Sequence, residues 1–313
     1  MVSFSETGLT GVYGVAVVPT SEVLLETMPD PNLFLRKLLI CVSEDPALLH
    51  GARFVSNFFQ PAEDLLIDLA LTPQTDLAGD DPDRLSSPDA LNWAVVMLEE
   101  KGFSITKTRL DADGKPFLRI SDIAKVADHH RYDAVVLGCR GIRRLEEHLN
   151  TAFKETVFDQ DLDFPFWICR EPDLTRSGVL LCVDGSKPGL CAADHVGMMC
   201  ATEQRHAITV AYLADPNRRD HRDETLILDN AVRMLRANAV AESRISTKVL
   251  TAEDHAQGIL EEADRGRYAA VAVGRAGTGR GMMADRQFGS VSLRLSRRLC
   301  GASLWVCGYP CKL

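Results

Sequence analysis

The stretch YAAVAVGRAGTGRGMMADRQFGSVSLRLSRRL, residues 268–299, decides how the rest of the chain is organised. Its start, AAVAV, is a short apolar run of the kind found in strands that are buried on both faces. A glycine-rich loop follows, and after Gly289-Ser290 apolar residues recur at helical spacing, at Val291, Leu295 and Leu299. The stretch therefore predicts a strand, a glycine-rich loop and a helix.

This arrangement is suited to binding phosphate. Glycine lets the backbone come close to an anion, and the first turn of a helix presents unpaired N–H groups and a positive dipole end. Ser290 either caps the helix or bonds a phosphate oxygen. The local pattern is equally typical of a surface loop that ends in an ordinary helix cap, so both interpretations stay open.

The composition bounds the class of protein. A chain of 313 residues with a net charge of -9 argues against a nucleic-acid-binding surface. No apolar run reaches the ~18 residues of a membrane span, and the N-terminus lacks the features of a secretory signal. We therefore expect a cytoplasmic protein that binds neither nucleic acid nor a membrane.

The nine cysteines predict neither disulfides nor a metal site. Cys41, Cys169, Cys182 and Cys307 lie in apolar, strand-like runs, where a reduced cysteine acts as a small hydrophobe. Cys307 and Cys311 are four apart, a spacing with little metal specificity, and no second pair completes a site.

The order of these patterns occurs twice along the chain. LLICVSED (38–45) returns as VLLCVDGS (179–186), RYDAVVLGCRG (131–141) as RYAAVAVGRAG (267–277), and FWICREP (166–172) as LWVCGYP (304–310), with an offset of 136 to 141 residues. This is a tandem duplication. We predict an N-terminal extension at 1–35, a first domain at 36–172 and a second domain at 173–313.

Each half alternates strands with helices and has no hairpin signal, which predicts an α/β fold. We expect two tandem Rossmann-like, doubly wound, five-stranded parallel sheets with a flavodoxin-like strand order. In such sheets ligands bind at the carboxyl ends of the strands where the order reverses. That point in the second half places Asp184 opposite Gly274, where a carboxylate can accept hydrogen bonds from a ribose. Asp184-Gly185-Ser186 is also typical of an ordinary turn with a helix cap.

These residues carry a family resemblance. VLLCVDGS, the loop that ends in GSVS, and LWVCGYP resemble a universal stress protein domain, and residues 36 to 311 resemble two such domains in tandem. The family's nucleotide motif is a glycine, two residues, a glycine, nine residues, and a glycine with Ser or Thr. Gly274, Gly277 and Gly289-Ser290 match it, except that eleven residues separate Gly277 from Gly289.

The resemblance implies a stress-response protein that binds ATP, with or without Mg, or another adenine nucleotide. It places Asp184 at the ribose and Tyr212 near the base through its backbone. Gly289, Ser290, Val291 and Ser292 would lie beside the phosphates. It also implies that the last strands of the two halves pair as an intramolecular dimer, and it leaves open a further homodimer.

The first half departs from the motif. Ser43-Glu44-Asp45 replace Asp184-Gly185-Ser186, and Thr151-Ala152 replace Gly289-Ser290. A side chain at Thr151 would block close approach of the backbone, and Glu146 and Glu147 would repel a phosphate. We therefore predict that the first domain has lost nucleotide binding and serves as a structural partner.

Signatures of catalysis are missing from the sequence. There is no G-x-x-x-x-G-K-[ST], H-E-x-x-H or G-x-S-x-G motif, and the eight histidines are scattered. At most, slow hydrolysis of bound ATP is conceivable. Two hypotheses remain: a nucleotide-binding regulatory module, and a scaffold of two paired domains that binds no nucleotide.

Overall fold

The computed structural model describes residues 35–42, 49–72, 87–109, 120–138, 165–217, 223–275 and 290–308. Within these ranges strands and helices alternate in both halves, so the predicted α/β class is confirmed. The strands are β1 (Arg36–Val42), β2 (Leu65–Leu71), β3 (Ile105–Arg109), β4 (Ala134–Gly138), β5 (Phe166–Cys169), β6 (Val179–Val183), β7 (Ile208–Ala214), β8 (Ile245–Thr251), β9 (Ala270–Gly274) and β10 (Ser303–Cys307).

Seven helices connect the strands in the described ranges, and none of these helices is long and apolar enough to cross a membrane. Most begin with a side-chain cap where their starts are described; Asp223 and Asp254, for example, each accept a hydrogen bond from the backbone N–H three residues later. The helices are α1 (His50–Phe58), α2 (Ser87–Glu100), α3 (Ile120–His129), α4 (Lys187–Cys200), α5 (Glu224–Ala237), α6 (His255–Arg265) and α7 (Ser290–Arg298).

All ten strands form one sheet in the order β3-β2-β1-β4-β5-β10-β9-β6-β7-β8. Every pairing is parallel except that between β5 and β10, which is antiparallel. Each half therefore contributes five parallel strands, as predicted. Within a half the order is 3-2-1-4-5, whereas a flavodoxin-like sheet has the order 2-1-3-4-5.

The third strand of each half explains this order. A flavodoxin-like order would make it the central strand, which must be apolar on both faces. β8 has the sequence ISTKVLT, and most of its side chains are exposed or half-buried, so it fits an edge. In the flavodoxin-like order and in the observed order alike, the strand order reverses between the first strand of a half and a later strand. The ligand crevice is therefore still expected at the end of that first strand.

The core consists of three clusters on the two faces of the sheet. One cluster is continuous across both halves, beneath α1, α2, α4 and α5. On the opposite face α3 covers a cluster in the first half, and α6 and α7 cover another in the second. Side chains alternate between these faces along β6, where Leu181 and Val183 belong to the shared cluster and Cys182 belongs to the other.

Two stacked indoles mark the junction of the halves. Trp167 of β5 lies directly opposite Trp305 of β10, with ring centroids 4.2 Å apart and planes within 5°. Both side chains are completely buried. The indole N–H of Trp167 donates to Nε2 of His195 in α4 (2.9 Å), and Phe58 of α1 packs edge-on against Trp305. One aromatic core therefore joins elements of both halves.

Among the described cysteines, one differs from expectation. The four strand cysteines are buried free thiols, as predicted, and burial raises the pKa of Cys41 and that of Cys169 to about 12. Cys191, however, is disulfide-bonded. The prediction was wrong there because it rested on cysteines in strand-like runs, and Cys191 lies in α4.

Candidate functional site

The carboxyl edge of the second half holds the residues predicted for a ligand site. β6 and β9 are neighbours, with Cys182 beside Val273, and both run toward this edge. The strand order reverses between them, since β7 and β8 lie on one side and β10 lies on the other. Asp184 and Gly274 therefore stand at the ends of adjacent strands, at the topological switch point.

Asp184 shapes the turn from β6 into α4. Its Oδ1 accepts hydrogen bonds from the backbone N–H of Ser186 (3.0 Å) and from the Ser186 hydroxyl (2.5 Å). The Ser186 hydroxyl oxygen in turn accepts from the N–H of Gly189 (3.1 Å), which makes it the cap of α4. Gly185 has a φ of +77°, in the left-handed region that favours glycine. The predicted turn and cap are thus present, with the carboxylate at a helix N-terminus.

Gly274 allows α4 to lie directly against the end of β9. A Cβ atom at this position would stand 2.8 Å from the carbonyl carbon of Pro188 and 2.9 Å from the backbone nitrogen of Gly189. These are backbone atoms of the first turn of α4, which have little room to move. Packing alone therefore requires a glycine at the end of this strand.

The start of α7 is tied to the end of β9. The hydroxyl of Ser292, which is 2% exposed, donates to the carbonyl of Arg275 (3.1 Å). The N–H of Arg275 donates to the carbonyl of Cys307 in β10 (2.7 Å). Ser290 is the first residue of α7 and is exposed, and the first turn of α7 contains no acidic residue. This helix N-terminus is therefore held at the same edge as Asp184, and the positive end of its dipole favours an anion.

A cleft of ≈ 420 Å³ lies between the N-termini of α6 and α7. Its charged pair is Asp254, the cap of α6, and Arg294, which lies one turn into α7. The two form a bidentate ion pair, with Nη1–Oδ1 at 2.8 Å and Nη2–Oδ2 at 2.6 Å. Hydrogen bonds from Arg294 lower the pKa of Asp254 below its usual value. The lining residues are Glu253, Asp254, His255, Ala256, Ser290, Val291 and Arg294.

Tyr212 and Leu213 point to opposite faces of β7. The Tyr212 side chain is buried in the cluster beneath α4 and α5, and its backbone pairs with Val183 and Val249. Leu213 belongs to the cluster beneath α6 and α7, which is the face on which α7 begins. Asp184 lies one residue beyond β6, and its carboxylate bonds Ser186 at the start of α4. Tyr212 can therefore reach the α7 side only through its backbone, whereas Leu213 presents its side chain there.

The structure brings together only part of the predicted site. Asp184, Gly274, Ser290, Val291 and Ser292 lie at one edge, while Gly277 and Gly289 lie outside the described residues. Sequence reasoning missed Leu213, Asp254 and Arg294. The signal for Asp254 was its position as an acidic residue before a helical pattern, and that for Arg294 was its spacing one turn after Ser290.

Fewer of the corresponding first-half positions are described. β1 and β4 are neighbours, as β6 and β9 are, and β4 ends at Gly138. Ser43-Glu44-Asp45, Gly141, Glu146, Glu147 and Thr151-Ala152 lie outside the described residues. The loss of nucleotide binding by the first half stays a prediction.

No protein-family model matches the sequence, and no curated protein matches it. Solved structures are similar in fold. A universal stress protein from Archaeoglobus fulgidus DSM 4304 superimposes with a TM-score of 0.60 at 16% identity, over 87% of this chain and 96% of that one.

Shorter solved chains match about half of this chain. A universal stress protein in complex with cAMP has a TM-score of 0.35 at 20% identity, covering 43% of this chain and 98% of its own. A universal-stress-family protein from Burkholderia pseudomallei has a TM-score of 0.30 at 19% identity, covering 43% and 96%. The match to the Archaeoglobus fulgidus protein shows that this chain has the fold of a universal stress protein.

Proposed function

We propose that the chain is a cytoplasmic stress-response or regulatory protein whose second half binds an adenine nucleotide, ATP with or without Mg. One observation carries the proposal. At the switch point between β6 and β9, the Asp184 turn and the N-terminus of α7 lie at one edge, and Ser292 ties α7 to the end of β9. The fold is that of a universal stress protein, for which the sequence resemblance implies this ligand.

The proposed roles follow the geometry. Asp184 would accept hydrogen bonds from the ribose, because a carboxylate accepts several hydrogen bonds at once and this one lies at the switch point. The backbone of Tyr212 would lie near the base. Gly274, Gly277, Gly289, Ser290, Val291 and Ser292 would surround the phosphates. The Ser292 hydroxyl already binds a carbonyl oxygen, so Ser292 would contribute its backbone N–H.

Calorimetric titration tests the proposal. The purified chain is titrated with ATP with and without Mg and with cAMP, after bound small molecules have been identified by mass spectrometry. Gly289→Val should abolish binding, because a branched side chain would stand where the backbone is expected to approach a phosphate. The matched control is Thr151→Val, at the equivalent position of the first half, which should bind as the parent does. Equal loss in both variants, or no loss in either, would contradict the proposal.

Asp184→Asn examines the ribose contact without dismantling the turn. The amide keeps an acceptor oxygen for Ser186 and removes the negative charge. A charge-assisted hydrogen bond is worth about 1.5–3 kcal/mol, so affinity should fall roughly tenfold or more. Unchanged affinity would exclude Asp184 from the ribose site.

A second candidate is a scaffold that binds no nucleotide. Two observations favour it: the requirement for glycine at 274 is explained by packing against α4, and Asp184 is engaged by Ser186. Absence of co-purified nucleotide together with absence of any titration heat would select this candidate.

The pairing of the two halves is part of either proposal. The antiparallel β5–β10 ladder and the continuous core cluster support a single unit that acts as an intramolecular dimer. Further support comes from Arg36 of β1, which donates to the carbonyl of Met199 in α4 (2.9 Å). Whether two such chains form a homodimer is tested by sedimentation equilibrium.

A further inference from the structure

The outer surface of α2 exposes two large apolar side chains. Trp93 is 58% exposed and Val96 is 47% exposed, and they lie one turn apart on the same side of the helix. The other two tryptophans of the chain, Trp167 and Trp305, are completely buried. A solvent-exposed indole leaves a large apolar surface in contact with water, and tryptophan is enriched in protein–protein interfaces.

The second half provides an internal comparison. α5 occupies the position of α2, and its core residues Ala231 and Leu235 correspond to Ala94 and Leu98 with an offset of 137 residues. The same offset puts Asn230 at the position of Trp93 and Arg233 at that of Val96. Arg233 donates a hydrogen bond to the side chain of Asn230. The fold therefore does not need apolar residues at these two outer positions.

The charged residues of α2 itself are all acidic, and the exposed Lys101 follows directly after the helix. Asp89, Glu99 and Glu100 are exposed on α2, and its last turn contains no basic residue. The C-terminal end of a helix favours cations, so two carboxylates there create an attraction for positive charge. In α5 the position of Glu99 is occupied by Arg236. We define the α2 face as Trp93, Val96, Glu99 and Glu100.

We propose that the α2 face docks a basic amphipathic segment of a partner protein, with apolar side chains that cover Trp93 and Val96 and with Lys or Arg beside Glu99 and Glu100. Apolar anchors with complementary rim charges are the usual basis for recognition of a helix by a protein surface. Nucleic acid and anionic lipid would be repelled by the same carboxylates.

Charge also argues against two other occupants. In a contact between two α2 faces, Glu99 and Glu100 would meet either the same residues or Asp89 of the second chain, and like charges repel. Residues 1–34 contain four acidic residues and no lysine or arginine, so they would bring further negative charge to the face.

Trp93 can report its own occupancy. Because Trp167 and Trp305 are buried, acrylamide quenching and shifts in tryptophan emission report mainly on Trp93. The probe is a synthetic helical peptide of about 14 residues, or four turns, with Leu on one face and Lys on the other. It should shift the emission to shorter wavelength and protect it from acrylamide. Raising the salt from about 0.05 M to about 0.5 M should weaken binding.

Variants and a matched peptide decide the outcome. By anisotropy of the labelled peptide, Trp93→Asn with Val96→Arg should weaken binding at least tenfold. Asn230→Ala with Arg233→Ala, the matched control on α5, should leave it within twofold. The same peptide with Glu in place of Lys should not bind. Equal affinity for the first double variant, or equal binding of the Glu peptide, would overturn the proposal.

Two further measurements test the competing occupants. Sedimentation showing self-association that the Trp93→Asn, Val96→Arg variant removes would assign the face to a second copy of the chain. If deletion of residues 1–34 increases the quenching of Trp93 by acrylamide, that segment covers the α2 face. Either result would overturn the proposal. Neither depends on nucleotide, so the outcome is separate from that of the nucleotide titration.

Discussion

The tyrosine before β4 and the tyrosine before β9 occupy equivalent positions in the two halves, and each donates its hydroxyl to a buried carboxylate. Tyr132 donates to Asp68, which comes from strand β2. Tyr268 donates to Glu262, which comes from helix α6 (3.4 Å), while the strand register puts Thr209 at the position of Asp68. The tyrosine hydroxyl is satisfied in both halves, although the element that supplies the acceptor differs.

Other parts of the two halves also combine a common architecture with different residues. Their strand order and the shared core cluster agree, whereas the sequences that follow the first strand and the outer faces of α2 and α5 do not. Duplicated folds can diverge at strand ends and outer surfaces because few core contacts depend on those positions. Four experiments on substituted variants test where the two halves are equivalent and where they are not.

The largest effect is expected at the junction. Trp305→Ala should lower the free energy of unfolding by about 3–5 kcal/mol, because it empties a completely buried site between the halves. Trp93→Ala is the matched control on the surface and should stay within about 0.5 kcal/mol. Urea unfolding followed by far-UV circular dichroism measures both. Similar losses for the two variants would show that the indole stack does not hold the halves together.

A smaller loss is expected for Gly274→Ala. The new Cβ would collide with backbone atoms of α4 at 2.8 and 2.9 Å, and overpacking of this kind costs about 1–3 kcal/mol. Gly51→Ala is the comparison in the first half, where α1 packs on β4. Its Cβ would meet side-chain atoms alone, the methyl groups of Val136 at 3.0 Å and of Ile40 at 3.5 Å. The gain in helix propensity of up to about 1 kcal/mol offsets this crowding. Thermal unfolding of both variants compares the two helix–strand contacts, and equal losses would contradict the distinction.

His206 should make the stability of the joined halves depend on pH. Its Nδ1 accepts from the N–H of Gly178 (3.0 Å), so Nε2 must carry the proton and donate to the carbonyl of Phe58 in α1 (2.8 Å). Burial lowers the pKa of His206 below its usual value, with a smaller contribution from Arg205 and Arg244. The folded state therefore holds the ring neutral.

The sign of the effect follows from this pKa. His206 contributes its full stability above the unfolded pKa of about 6.5, and that stability is lost as the pH falls through the lower folded pKa. The neighbouring Glu203 has a raised pKa, chiefly through burial, and acts in the opposite direction. The difference in unfolding free energy between the parent and His206→Gln isolates the histidine. It should shrink as the pH is lowered from 7 to 5, and a constant difference would contradict the assignment.

The smallest effect is expected on the α2 face. Trp93→Asn with Val96→Arg gives α2 the outer residues of α5 and should change the unfolding free energy by no more than about 0.5 kcal/mol, since both side chains are more than 40% exposed. Urea unfolding measures the change. A loss above about 2 kcal/mol would mean that these residues stabilise the chain itself.

Much of the fold could be predicted because it depends on local sequence patterns. Apolar runs such as VLLCV and AAVAV gave the buried central strands, and the repeat gave two halves with the same element order. The polar sequence ISTKVLT is typical of an edge strand, which is where β8 lies. The prediction of a flavodoxin-like order did not take this polarity into account. A continuous apolar run indicates a strand that is buried on both faces and therefore central, whereas a polar strand indicates an edge position.

Contacts between distant residues could not be predicted in this way. Arg36 is 1% exposed, forms an ion pair with Asp64 (3.1 Å) and reaches Met199 across the junction, 163 positions along the chain. The pairing of Asp254 with Arg294 joins two helices that are separate in sequence. Such pairs depend on how the elements pack, which no local spacing encodes.

The stoichiometry of nucleotide binding tests the difference between the halves most directly. Native mass spectrometry of the full chain in excess ATP and Mg counts the nucleotides bound to each chain. We predict one nucleotide per chain, lost in Gly289→Val and retained in Thr151→Val. Two nucleotides per chain would show that the first half has kept its site, and none would contradict a nucleotide site in the second half.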